Sequence, residues 1–275
     1  MTALEKIQAR QIAWARSRSI LLERPGYVRK LSDNLFQHLS KDTEKNFRKA
    51  PGQELESRSK GSPPKMHALE SSSALLCNVF DYWRAKNPKE IGRAFGIPED
   101  VVEVKFEAEF STGLKGTPPT LDMALTDRTD AIWGVEAKFC EPYRPKSNRV
   151  PFAAAYFPKG EGLWARRGLN RCQKLVEELN EGKITFERLD VHQLLKHALG
   201  LWSQPPKAHL FYLWYEEKGP EAEQIHGDLG VFAKEIDSKL AFRAITYQQV
   251  FEALCKAPGA DDDYLEYLLS RYFQG

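Results

Sequence analysis

No run of roughly eighteen or more apolar residues occurs in this chain, which excludes a transmembrane helix from the reading. The N-terminal segment lacks the apolar stretch of a secretory signal. Its Arg10, Arg16 and Arg18, with Glu5 as the acid, fit a helix packed on the domain better than an organellar presequence. Cysteine is scarce, and Cys77, Cys140, Cys172 and Cys255 stand far apart with no C-x-x-C pair. That spacing argues against a zinc ribbon or a disulfide framework and fits a reducing, cytoplasmic location. Several catalytic signatures are missing too: no H-E-x-x-H, no Walker lysine loop, no G-x-G-x-x-G after a strand and no G-x-S-x-G elbow. No internal repeat or low-complexity segment stands out. What remains is a chain of 275 residues, 42% hydrophobic and 28% charged, the size and composition of one large α/β domain or of a domain with an N-terminal extension.

The stretch from Pro119 to Lys138 carries the chemistry. Pro118 and Pro119 cannot donate to a sheet ladder and mark a strand entry. Leu121 to Leu125 reads as a short strand interrupted by Asp122, Asp127 to Asp130 as a hairpin turn, and Ala131 to Phe139 as the return strand. Alternation puts Glu136 and Lys138 on one face and Val135, Ala137 and Phe139 on the other. The hairpin then brings Asp122 toward Glu136 and Lys138. Buried charge needs a partner, and a hard divalent cation held by Asp122, Glu136 and the Ala137 carbonyl supplies one. Two carboxylates can hold Mg²⁺ against a phosphate oxygen while Lys138 orients water or stabilises developing charge, which is the equipment for phosphodiester hydrolysis.

This arrangement, Asp122 followed after a hairpin by Glu136-Ala137-Lys138, resembles the core motif of the PD-(D/E)xK, or restriction-endonuclease-like, nuclease superfamily. The Pro is not adjacent to the Asp here. The resemblance implies an α/β fold with a small mixed sheet flanked by helices, and it covers roughly residues 65–216. It implies a metal-facing Glu70 on a helix opened by His67 to Ser72, and a site-facing Gln193 on a later helix. It also implies Mg²⁺ as cofactor, with Mn²⁺ able to substitute, and double-stranded DNA as partner; enzymes of this kind that cut both strands are often homodimers, which the resemblance alone does not establish for this chain. Glu107 or Glu109 on the preceding strand could add a ligand. The plainer readings are a turn or edge-strand Asp122, a solvent-facing Glu136–Lys138 pair, a dipole-favoured Glu70, and His67 and His197 as packing residues.

Around the hairpin the chain reads as an N-terminal helical extension and linker over 1–64 and a nuclease-like domain with C-terminal helices over 65–275. Helices are expected at 1–23, 28–49, 67–84, 169–179, 190–201 (with Asp190 as N-cap), 221–238, 246–256 and 261–273. Strands are expected at 101–110, where Val102, Val104, Phe106, Ala108 and Phe110 alternate with charges, and at 209–215. Net charge is only +2, but it is uneven. Between 141 and 174 lie eight Lys or Arg against Glu141 and Glu161, whereas from Glu216 onward twelve acids face six bases. Arg144, Lys146, Arg149, Arg166, Arg167 and Arg171 are therefore the candidates for holding a nucleic-acid backbone, with Trp164 as a possible stacking partner. Two other readings stay open: a binding or assembly module of the same fold without turnover, and a phosphodiesterase acting on RNA or a small nucleotide.

Overall fold

The computed structural model describes residues 1–57, 59, 61–144, 151–203 and 208–274. Its centre is the expected hairpin. Asp127 builds the turn: its Oδ1 accepts from Thr129 N at 2.8 Å and Ala131 N at 3.2 Å, and its Oδ2 accepts from Trp133 Nε1 at 2.9 Å. Burial alone would raise this carboxyl, but those donors outweigh it and hold the group below its ordinary value. Asp130 takes the left-handed backbone conformation that closes the turn, with φ of 63°.

In chain order the elements are helix α1 (Ala3–Ser17), a small hairpin β1 (Leu22–Arg24) and β2 (Tyr27–Val28), α2 (Lys41–Lys49), α3 (Ser72–Lys86), α4 (Pro88–Phe95), β3 (Val101–Glu109), β4 (Thr120–Asp127), β5 (Ile132–Lys138), α5 (Leu163–Arg166), α6 (Asn170–Asn180), α7 (Val191–Leu201), β6 (Ala208–Trp214), α8 (Pro220–Glu235), β7 (Arg243–Thr246), α9 (Tyr247–Leu254) and α10 (Asp262–Leu268). Strands β3 to β7 form one sheet in that order; β3–β4 and β4–β5 are antiparallel, while β5–β6 and β6–β7 are parallel. Helices cover both faces. Phe211 of β6 meets Phe95 of α4 with ring centroids 5.1 Å apart. On the opposite face α7 comes down on β5. A Cβ on Gly134 would stand 2.9 Å from Leu201 Cδ1, and one on Gly200 would stand 2.6 Å from the Phe110 carbonyl oxygen, so glycine at both places lets the helix approach the sheet. This is the mixed α/β architecture expected of a restriction-endonuclease-like fold.

The first residues join the same core. Ile7, Leu35, Phe47 and Met66 are buried together with Phe80, Val135 and Leu213. The C-terminal chain returns to meet them: Arg271, fully buried in a π-helical turn (Leu269–Phe273), donates to Gln11 Oε1 at 3.0 Å and Asn34 O at 2.8 Å and lies 4.1 Å over the Trp14 ring.

Several expected elements differ. The helix over 28–49 is a short 3₁₀ turn at Leu31–Asn34 followed by α2, because Ser40 caps a new start there by accepting from Thr43 N at 3.3 Å. The helix expected from residue 67 begins at Ser72, with Ser71 as its N-cap. Pro88 ends α3 but also opens α4 as its first residue. A register shift between Val101 and Glu103 turns Val102 outward, 57% exposed, so the clean alternation of that strand starts only at Val104.

Candidate active site

The β4–β5 ladder ends at the pair Met123–Val135. One step further the strands part, and the Asp122 side chain takes the place of a ladder partner: its Oδ2 accepts the Ala137 N–H at 2.7 Å. In an extended strand a residue's N–H and C=O leave on the same side, so the Ala137 carbonyl opens toward the same gap. Glu136, on the face that α7 covers, is 1% exposed. Lys138 Nζ donates to Glu136 Oε1 and, at 3.1 Å, to Gln193 Oε1 on α7. Asp190 fixes where α7 begins by accepting from Gln193 N at 3.0 Å, so the helix cap and the site contact share one residue. Asp122, Glu136, Lys138 and Gln193 thus meet at one end of the sheet.

The electrostatics of the group are uneven. Burial raises Asp122 well above its ordinary value, and the Glu136 charge raises it further against the opposing pull of Lys138. Burial would raise Glu136 as well, but the Lys138 ammonium and the His197 imidazole outweigh it and hold this carboxyl at about 2. Burial disfavours the Lys138 ammonium, yet Glu136 and Asp122 keep it protonated far above the usual lysine range. The cluster is therefore a tight Glu136–Lys138 ion pair with a second carboxyl that resists ionisation beside it.

Three neighbours join the cluster, and two of them, His197 and Tyr212, were not marked by the sequence as site residues. His197 Nε2 lies 2.9 Å from Glu136 Oε2, both side chains being almost fully buried. Its spacing one helical turn after Gln193 was the available signal. Tyr212 pairs with Glu136 across β5–β6 and is buried beside it. Glu107, weighed earlier only as an added ligand, falls opposite Asp122, since Phe106 pairs with Met123 and Ala108 with Leu121. It adopts φ of 51°, a left-handed conformation rare for glutamate. Burial, then Glu54 and Glu136, push its carboxyl up to about 7.

Glu70 stands differently from the expectation. Because Ser71 is the cap, Glu70 precedes α3 and does not ride on it, and its carboxylate accepts from Gln8 Nε2 at 2.7 Å and from Arg144. The basic candidates among the described residues are likewise engaged. Arg166 pairs with Glu161 at 3.0 Å, and Arg171 donates to the Lys234 carbonyl near the end of α8. Arg167 donates to the Leu199 carbonyl and, at 2.8 Å, to the Thr112 carbonyl, tying α7 to the segment after β3. Trp164 is fully buried and donates to Leu195 O at 2.9 Å, so it is core and not a stacking platform. Lys146 and Arg149 lie outside the described residues. Cys140 is buried, and its thiol is pushed far up by that burial and by Glu70 and Glu141, which disfavours the thiolate.

Oxygen donors dominate the site, as a hard divalent cation requires. Glu136 Oε2 is buried without an aligned hydrogen bond, the His197 ring being close but not oriented to donate to it. A cation would satisfy that oxygen and relieve the repulsion that keeps Asp122 from ionising. Among the described residues no three His, Cys, Asp or Glu side chains are gathered to hold a metal. Two carboxylates suit Mg²⁺, which keeps several waters, and do not suit a closed zinc site. Among the described residues no helix is long and apolar enough to cross a membrane.

The profile of the family described as Restriction Endonuclease associating with ARP matches residues 13–273. No curated protein and no solved structure matches the chain. A family match that spans nearly the whole chain agrees with the mixed five-stranded sheet, and the chain belongs to this restriction-endonuclease family.

Proposed function

We propose that this protein is a Mg²⁺-dependent nuclease that hydrolyses phosphodiester bonds of double-stranded DNA, with Mn²⁺ able to replace Mg²⁺. The nuclease-like role follows from the family; metal, substrate and residue roles are the reading offered here. The observation that carries it is the buried cluster in which Asp122 and Glu136 lie beside the Lys138 ammonium. Asp122, Glu136 and the Ala137 carbonyl would hold the ion, which when bound polarises the phosphate and acidifies a water. Lys138 presents its ammonium to the developing negative charge, and Gln193 fixes the direction of that ammonium by accepting one of its hydrogens. Water adds to phosphorus, one P–O ester bond breaks, and the departing oxygen takes up a proton. Cutting both strands calls for two such centres, and a homodimer is the simplest source of the second. Glu70 would join the ion only after leaving Gln8 and Arg144.

Supercoiled plasmid incubated with the protein and Mg²⁺ should be nicked or linearised, and Lys138→Ala should lower the rate by about 10²-fold or more. Equal cutting by both proteins would end the catalytic assignment of Lys138. A second reading, a DNA-binding module without turnover, draws on one observation: Glu136 is already faced by both Lys138 and His197. It predicts salt-sensitive DNA binding that is indifferent to Mg²⁺. Parallel assays on single-stranded DNA and RNA oligomers decide the substrate class.

A further inference from the structure

Helix α7 touches the Glu136–Lys138 pair twice. Gln193 meets Lys138 at 3.1 Å, and one turn later His197 meets Glu136 at 2.9 Å. The Lys138 side of the contact is a hydrogen bond. The Glu136 side is not: His197 Nε2 and Glu136 Oε2 are both buried, and neither has an aligned hydrogen-bond partner. As a stabilising element such a contact is a poor choice. A buried carboxylate facing an imidazole is generally no better for stability than an apolar pair of similar volume. The surrounding positions of the helix are apolar, with Leu194, Leu195, Ala198 and Leu201 all buried, so a leucine at 197 would suit the packing. The helix is also brought close at some expense in sequence freedom, since a Cβ at Gly200 would stand 2.6 Å from the Phe110 carbonyl oxygen.

What the ring does achieve is to set a polar nitrogen 2.9 Å from the second carboxylate oxygen. With Lys138 on Oε1 and His197 against Oε2, the Glu136 carboxylate is confined from two sides. The geometry points to His197 as the positioning residue that sets the orientation of the Glu136 carboxylate toward the bound divalent ion. This rests on the metal reading above and adds to it a residue that the ion does not touch. Residues of this kind typically change metal affinity by about 10–100-fold when removed.

The test uses the full chain and Mn²⁺ alone, titrated by calorimetry into wild type, His197→Leu and His197→Gln, with far-ultraviolet circular dichroism confirming that each is folded. Glutamine carries an amide nitrogen to about the place of Nε2, whereas leucine fills the space without a polar atom. The expected result is Mn²⁺ affinity at least about tenfold weaker in His197→Leu and within about threefold of wild type in His197→Gln. If His197 only filled the core, leucine would be the better substitute and the order would reverse. Wild-type affinity in a folded His197→Leu, or equal losses in both variants, overturns the assignment while leaving the metal site standing. If His197→Leu does not fold, the glutamine variant decides: a loss of tenfold or more there overturns it. Failure of the wild type itself to take up Mn²⁺ overturns the metal reading and this inference together.

Discussion

Replacing Glu107 with glutamine should stabilise the metal-free protein at alkaline pH and leave it unchanged in acid. Glu107 stands opposite Asp122, and its carboxyl is raised from 4.5 to about 7 by burial first and then by Glu54 and Glu136. An acid whose folded value exceeds its unfolded value binds more protons in the native state between those two values. Stability therefore falls as pH rises from about 4.5 to about 7, and the full penalty is present above that window. The interval corresponds to roughly 3 kcal/mol. Glutamine keeps the shape and removes the charge, so in EDTA Glu107→Gln should gain roughly 3 kcal/mol over wild type at pH 8 and only a few tenths at pH 4.5. Urea unfolding followed by circular dichroism at the two pH values measures both differences. An equal effect at both values would refute the electrostatic account, since a change in packing does not depend on pH. The left-handed backbone at Glu107, with φ of 51°, is common to both proteins and cancels. Saturating Mn²⁺ should narrow the gap at pH 8, because a cation in the cluster offsets the same repulsion.

Arg271→Met should cost about 3 kcal/mol in urea unfolding, because Gln11 Oε1 and the Asn34 carbonyl lose a buried charged donor. A loss below about 1 kcal/mol would show that the tie between the N- and C-terminal segments is not stabilising. Arg167→Ala should lower stability by about 1–2 kcal/mol through the Leu199 and Thr112 carbonyls, yet leave the salt dependence of DNA binding unchanged. A shallower salt slope with unchanged stability would return Arg167 to the nucleic-acid surface.

The hairpin was legible because its signals are local. Pro118 and Pro119 before β4, the Asp127–Asp130 cluster and the alternation through Glu136 and Lys138 each follow from backbone geometry that neighbouring residues dictate. Asp190 as a cap, and so the placing of Gln193, was readable for the same reason. The parts that escaped depend on tertiary contacts. Strand β7 is four residues long and owes its place to β6, with which it pairs from Phe211–Arg243 to Trp214–Thr246. His197 looks like any packing histidine until α7 is laid on β5. Glu107 reads equally as an added ligand or a solvent-facing strand charge, and only the register with β4 puts it opposite Asp122. Glu70 looked like a helix residue because Ser71, Ser72 and Ser73 offer three possible caps, and the chain uses the first. The basic stretch between 141 and 174 was read from composition alone, and a count of arginines cannot see that Arg167 also holds the Leu199 and Thr112 carbonyls or that Arg166 pairs with Glu161.

The most direct measurement is a crystal grown or soaked with Mn²⁺ and examined for anomalous scattering. The account predicts a peak about 2.0–2.6 Å from carboxylate oxygens of both Asp122 and Glu136. Absence of that peak under saturating Mn²⁺, with Glu136 still closed between Lys138 and His197, would contradict it.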